Sequence, residues 1–339
     1  MCICDIDERG RSRTRCENGD VNIPANLDLN SLDQDTKVLI VSSRDPSRRN
    51  QFQLNGNMFA NKRFEEIHLS NSQLDFIGDS TFILVSNTLQ VLNLAGNSLL
   101  MLNENNFRNL SKLTHLHLDH NRIQSVHSAM FSYLTGLKTL QITTNLISDV
   151  PQRMGLQLGK LEVLDMSSNP LGVPVIGDVK QTIPESFFQD FTNLQVLGLA
   201  NTSLDSLPWP AIQKFIPYLR ELDMSGNRIE SIQPSQLSLI RNLNVIRIGN
   251  NPIRAIAPGA LSGLILKTLD LSGLRAANVL PQGVFQSVRI SHLDVSNTGL
   301  LTLDPNVFMP ISQELEGLNI SGNPGLVLQS KMFMALAGI

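Results

Sequence analysis

Apolar residues recur along this chain in a fixed phrase. In Leu113-Thr-His-Leu-His-Leu-Asp-His-Asn121-Arg-Ile123 the first, fourth, sixth and eleventh positions are apolar and the ninth is asparagine. The phrase begins again at Phe64, Leu89, Leu137, Leu161, Leu194, Leu219, Leu243, Leu266, Ile290 and Leu315. The steps are 23 to 25 residues, with one of 33. Alternation within the phrase predicts a short strand, because successive side chains on a strand point to opposite faces. A strand returning at this period predicts a repeat array, in which each unit packs only on its neighbours. Such an array need not divide into separate globules, as a compact chain of this length usually does. Another strand is expected at Val38–Val41, followed by an irregular first repeat with an exposed loop over 42–61.

Two further apolar ladders keep the same period. Phe82, Phe107, Phe131, Phe188, Leu237, Leu261, Phe285, Phe308 and Phe333 lie about 18 residues into each repeat. Val85, Leu110, Leu134, Phe191, Ile240, Leu264, Ile311 and Leu336 follow three residues later. They are expected to fill the half of the core opposite the strands. The ninth position is Asn97, Asn121, Asn145, Asn169, Asn227, Asn251 and Asn323 in seven repeats. An amide both donates and accepts, so it can satisfy turn backbone that would otherwise be buried unpaired. Ser72, Thr202 and Thr298 keep part of that capacity. Leu274 keeps none, so irregular backbone is expected over 272–279. The long step places nine extra residues in the repeat 161–193, around 173–182.

Composition narrows the function classes. Net charge is −3, and there are one Trp and two Tyr. That offers neither a basic footprint nor stacking platforms, and so argues against nucleic acid and anionic membranes. No apolar run approaches the ~20 residues of a membrane span. Cys2, Cys4 and Cys16 are the only cysteines. Their concentration suggests a stapled cap over residues 1–35, ahead of about twelve repeats over 36–339. The odd count leaves a missing partner or a free thiol.

The outward strand positions are the third, fifth, seventh and eighth. Eleven strands at ~4.8 Å spacing would offer a face roughly 50 Å across, suited to a protein partner. Histidines gather on it at His68, His115, His117 and His120, beside Asp119. A metal site is not expected, because His115 and His117 are neighbours on one strand and no cysteine joins them. A pH-responsive contact fits the same residues. Acidic residues gather at Asp165, Glu221, Asp223, Asp270 and Asp294, interrupted by Arg247. Asp223, Arg247, Asp270 and Asp294 share the fifth slot of successive strands. They are proposed to contact a partner with a basic or mixed-charge face. Asn109, Asn201 and Asn319 head N-glycosylation triplets. His292, Asp294 and Ser296 share a strand, but nothing there supplies a pocket or an oxyanion donor. No enzyme activity and no cofactor are expected.

These motifs resemble those of the extracellular leucine-rich-repeat family of the 24-residue class, over nearly all of residues 1–339. The resemblance implies an α/β leucine-rich-repeat solenoid, curved into a horseshoe. A parallel β-sheet would line its concave face, with loops and short helical turns on the convex face. Members of that family are receptor ectodomains, adhesion proteins and matrix proteins that bind protein partners. Their N-terminal cap usually holds four cysteines, closed one-to-three and two-to-four. Cys2, Cys4 and Cys16 match the last three. This implies a Cys2–Cys16 disulfide, with Cys4 unpaired or pairing outside this chain. The family's C-terminal cap has no counterpart, so the chain is expected to be part of a longer one. Its apolar end near Leu318, Ile320, Leu328 and Phe333 would favour self-association. An extracellular or cell-surface recognition module is the expected function. The alternatives are an intracellular scaffold and a targeting domain attached to an enzyme outside this chain.

Overall fold

The computed structural model describes residues 2–17, 29–43, 45, 47, 49–54, 56–172, 183–234, 236–274 and 280–328. Two compact units emerge. One is Met1–Asn169 with Ser186–Asn193, and the other is Pro170–Glu185 with Leu194–Ile339. The boundary falls within the enlarged repeat. The extra residues 173–182 themselves lie outside the described residues, as do 275–279, Phe333 and Leu336.

In the first unit the strands are β1 Ile3–Ile6, β2 Ser12–Cys16, β3 Val38–Val41, β4 Glu66–His68, β5 Val91–Asn93, β6 His115–His117, β7 Thr139–Gln141 and β8 Val163–Asp165. β1 and β2 form an antiparallel hairpin. From β2 onward each strand adds in parallel to the one before it. The register aligns like slots, so Ile40, His68, Asn93, His117, Gln141 and Asp165 form one row.

In the second unit the strands are β9 Val196–Gly198, β10 Glu221–Asp223, β11 Ser231–Ile232, β12 Val245–Arg247, β13 Ala255–Ile256, β14 Ile265–Asp270, β15 Arg289–Asp294 and β16 Gly317–Asn319. β9, β10, β12, β14, β15 and β16 pair in parallel, and β11 with β13 makes a separate two-stranded ladder. The return segments are mostly short 3₁₀ turns, with helices α1 at Trp209–Phe215 and α2 at Pro305–Phe308. Asp304 caps α2, accepting from the Asn306 N–H at 2.9 Å. Each unit is a leucine-rich-repeat solenoid: mainly parallel three-to-six-residue strands on one side and turns on the other, around its own apolar core.

The core follows the ladders read from the sequence. Phe82, Phe107, Phe131, Phe188, Phe285 and Phe308 are buried, as are Val85, Leu110, Leu134, Phe191, Ile240, Leu264 and Ile311. The asparagine ladder links one repeat to the next. Asn121 Nδ2 donates to Leu94 O and to Leu118 O, both at 3.0 Å, and its Oδ1 accepts from Leu99 N at 3.1 Å. Asn251 does the same with Met224 O, Ile248 O and Ile229 N. Each amide therefore satisfies buried backbone in two repeats. Where threonine replaces it, Thr202 Oγ1 lies 2.8 Å from Leu199 O and 2.9 Å from Asn227 Oδ1. Leu274 occupies the ninth slot as a buried hydrocarbon.

The eighth position carries a second regularity. Asn71, Gly96, His120, Thr144, Ser168, Asn201, Gly226, Asn250, Gly273, Asn297 and Gly322 all have φ between 50° and 70°. This left-handed turn aims the residue's N–H sideways, onto the seventh-position carbonyl of the following repeat. Asn71 N donates to Ala95 O at 2.8 Å, and Thr144 N to Ser167 O at 2.9 Å. Glycine takes this conformation freely, asparagine tolerates it, and a β-branched residue is strained in it. Where asparagine precedes glycine the side chain fills the space a Cβ would need. Asn71 lies on Gly96, Asn201 on Gly226, Asn250 on Gly273 and Asn297 on Gly322.

Candidate recognition surface

The second unit presents a row of charge. The strand register sets Asp223 beside Arg247, Arg247 beside Asp270, Asp270 beside Asp294, and Asp294 beside Asn319. These carboxylates also build the fold. Asp223 Oδ1 accepts from Ser225 N at 2.9 Å, Asp270 Oδ1 from Ser272 N at 2.8 Å and Asp294 Oδ1 from Ser296 N at 2.8 Å. Asp165 does the same with Ser167 N at 3.0 Å in the first unit. A side-chain oxygen accepting from the N–H two residues on is an Asx turn, which ends the strand. Only part of each carboxylate is used in this way. Arg247 leans toward Glu221, at 3.7 Å between half-exposed side chains, instead of bridging the aspartates on either side. Asp294 Oδ2 accepts from Asn319 Nδ2 at 2.8 Å. At this end of the row a depression is lined by Thr268, His292, Asp294, Gly317 and Asn319. Gly317 opens it, since a Cβ there would stand 2.9 Å from His292 Cδ2.

The histidines lie on the strands of the first unit, each engaged locally. His115 Nδ1 is 2.8 Å from Thr114 Oγ1, His117 Nδ1 bonds Gln141 Oε1, and His68 Nε2 is 3.3 Å from Glu66 Oε2. Asp119 Oδ1 accepts from Thr143 N at 2.8 Å. Burial lowers the pKa of His68, and the Glu66 hydrogen bond only partly opposes it. Burial, with His117 adding to it, lowers that of His115. His120 is set apart from the strand histidines, in the left-handed eighth position. Among the described residues no group of three or more His, Cys, Asp or Glu could hold a metal ion.

A third constellation was missed in the sequence. Arg9, Arg11, Arg13 and Arg15 alternate along the segment read only as charged. Alternation puts Arg13 and Arg15 on one face of β2, and Thr14 and Cys16 are buried on the other. Arg13 and Arg15 grip Asp5 at 2.8 and 2.6 Å. Arg11 reaches Asp7 and Glu66, both at 2.8 Å. The Arg13 hydrogen bond, helped by Arg15, holds the Asp5 carboxyl down at about 2. The period-two spacing of the arginines was the available signal. Behind this hairpin Cys2 and Cys16 form a disulfide, and Cys4 is an exposed free thiol beside Thr14.

The glycosylation triplets fall in three different settings. Asn109 lies in an exposed turn, Asn201 in the eighth position of its repeat, and Asn319 on β16.

The repeat geometry, the two ladders and the capped strand face define a leucine-rich-repeat solenoid with an open polar face. The chain belongs to the leucine-rich repeat family. "Leucine rich repeat" models match residues 62–123, 111–171 and 217–275, and a two-copy model matches 192–238. It is 29% identical to Toll-like receptor 9 of Mus musculus over 57% of this chain, and spans 19% of that receptor. It is 27% identical to lumican of Homo sapiens, covering 70% of this chain and 67% of lumican. In fold it matches the structure of the Drosophila Toll–Spatzle complex with a TM-score of 0.62 and 19% identity, covering 89% of this chain and 46% of that one. Its relatives thus include receptors and matrix proteins. Among the described residues no helix is long and apolar enough to cross a membrane.

Proposed function

We propose that this chain is the recognition region of an extracellular or cell-surface protein. It binds a protein partner through the strand face of its second unit. The observation that carries this reading is the fifth-slot row. Asp223, Asp270 and Asp294 each commit one oxygen to an Asx turn, and Asp270 and Asp294 stand side by side. Adjacent like charges are unfavourable in the free protein, and a partner's lysine or arginine relieves them. An acidic row repels phosphate, which favours a protein over a nucleic acid. The Cys2–Cys16 disulfide supports an oxidising compartment rather than the intracellular alternatives. The kinship with Toll-like receptor 9 and lumican supports recognition rather than catalysis as the activity.

Replacing Asp270 and Asp294 together by asparagine is the test. Asparagine keeps the turn-forming oxygen and removes the charge, so folding is retained. Extracellular proteins retained by the wild-type chain are identified, and their association rates with both chains are measured at low and physiological salt. The double variant should associate more slowly and with a flatter salt dependence. A partner that associates at the same rate with both chains at low salt would overturn the reading.

A further inference from the structure

We infer that Asn109 is the N-glycosylated residue of this chain, and that Asn201 and Asn319 stay bare although their triplets carry the same motif. The inference rests on the extracellular reading above and adds a covalent site to it. The donor is a lipid-diphosphate-linked oligosaccharide. Asparagine Nδ2 forms a bond to the sugar C1, the C1–oxygen bond to the diphosphate breaks, and Nδ2 loses one proton. The transfer therefore needs an amide nitrogen that can be approached freely, with the hydroxyl two residues on also accessible.

All three asparagines are exposed, as are Ser111 and Ser321, while Ser203 is half-exposed; the triplets differ in how the asparagine amide is engaged. Asn109 and Ser111 are both exposed, and Leu110 between them is buried. Asn109 has φ of 62°, and its carbonyl accepts from Ser111 N at 2.9 Å. This tight turn pins Leu110 in the core and presents the amide and the hydroxyl outward. It lies on the turn side of its repeat, away from the strand face. Its backbone position is shared by Asp190, which also has positive φ and accepts from Thr192 N. There the half-exposed side chain reaches Arg153 at 3.0 Å, so the slot points side chains outward.

Asn201 occupies the left-handed eighth position, with its side-chain oxygen packed on Gly226. Thr202 is fully buried, Ser203 is again left-handed, and the Ser203 carbonyl is packed against Gly172. The amide of Asn201 is thus packed along one edge, and the Ser203 hydroxyl is less open than that of Ser111. Asn319 uses both amide atoms, since Nδ2 donates to Asp294 Oδ2 at 2.8 Å and Oδ1 accepts from Ser321 N at 3.1 Å. A glycan there would also cover the depression at Gly317 and His292. A sugar on Asn109 leaves that surface open.

The full chain is secreted from mammalian cells behind a cleavable leader, so that its native destination does not affect the result. Glycans are removed enzymatically in heavy-oxygen water, and the tagged asparagines are mapped by peptide mass spectrometry. Asn109 should be tagged, and Asn201 and Asn319 should not. Asn109→Gln and Ser111→Ala should each abolish the tag while secretion continues, because both side chains are exposed and the core residue Leu110 is kept. An untagged Asn109 in secreted protein, or a tag on Asn201 or Asn319, overturns the inference. Neither result bears on partner binding, which is read separately with the Asp270 and Asp294 variants.

Discussion

The two units solve the same turn with different residues. In the second unit the eighth positions are Asn201, Gly226, Asn250, Gly273, Asn297 and Gly322, all suited to positive φ. In the first unit only Asn71 and Gly96 are of that kind, and His120, Thr144 and Ser168 hold the same conformation. The faces differ in parallel. The first unit's face is occupied by arginine–carboxylate pairs and by histidines engaged with their neighbours. That of the second presents Asp223 and Asp270, each holding its own turn through one oxygen, and Asp294, which also accepts from Asn319. The comparison teaches that the repeat frame imposes the same left-handed turn on residues that suit it and on residues that do not.

The largest expected effects come from the core of each unit. Phe131→Ala in the first unit and Phe285→Ala in the second should each cost about 3–5 kcal/mol, since both rings are fully buried. Denaturant unfolding measures the loss. Hydrogen exchange should place the weakened protection in the repeats flanking each substitution, as nearest-neighbour packing requires. Next comes the ladder. Asn251→Ala leaves Ile229 N and Met224 O without their partner and should cost about 1–3 kcal/mol.

The eighth position supplies a smaller, signed pair. Asn250→Thr places a β-branched residue at φ of 55° and should destabilise by about 1–2 kcal/mol. Thr144→Gly, at φ of 51°, should stabilise by up to about 1 kcal/mol, the relief of strain exceeding the added backbone freedom. If both changes shift the thermal midpoint in the same direction, the contrast between the units fails.

The smallest expected effect is on pH dependence, and it belongs to the first unit. Burial gives His68 and His115 a folded pKa below their unfolded value of 6.5. The unfolded chain then binds the proton first, so stability is full above about pH 6.5 and declines as pH falls through that value. Asp5 is also depressed, from 3.8 to about 2, so its contribution is lost only between those values. Thermal midpoints of His68→Gln against wild type, from neutral to mildly acidic pH, should show a weaker acid dependence in the variant. An identical dependence would remove His68 from the account.

The repeats were legible in the sequence because a strand that faces one core leaves a period in the chain. Among the described residues the apolar ladders and the asparagine ladder stand where that period places them, and the strand expected at Val38–Val41 is β3. The β1–β2 hairpin was not read. Its apolar face is short, with Thr14 and Cys16 buried, and its arginines look like solvated charge until their spacing is counted. The Asx role of Asp223, Asp270 and Asp294 was also hidden. A carboxylate that holds its own turn has the same sequence signature as one that waits for a partner. The left-handed eighth position was masked in the first unit by His120, Thr144 and Ser168, which carry no turn signal of their own.

The stacking of asparagine on glycine has a consequence for how this chain can be edited. In the second unit Asn and Gly alternate strictly at the eighth position, so its true period is two repeats, beginning at Leu194, Leu243 and Ile290. Excising the single repeat that begins at Leu266 would bring Asn250 onto Asn297, whose Cβ has no room there. Excising residues 243–289 as a pair would bring Gly226 ahead of Asn297 and leave Asn201 on Gly226 and Asn297 on Gly322 untouched. The removable word in this half of the molecule is the couplet, and a library of shortened chains should survive in steps of two.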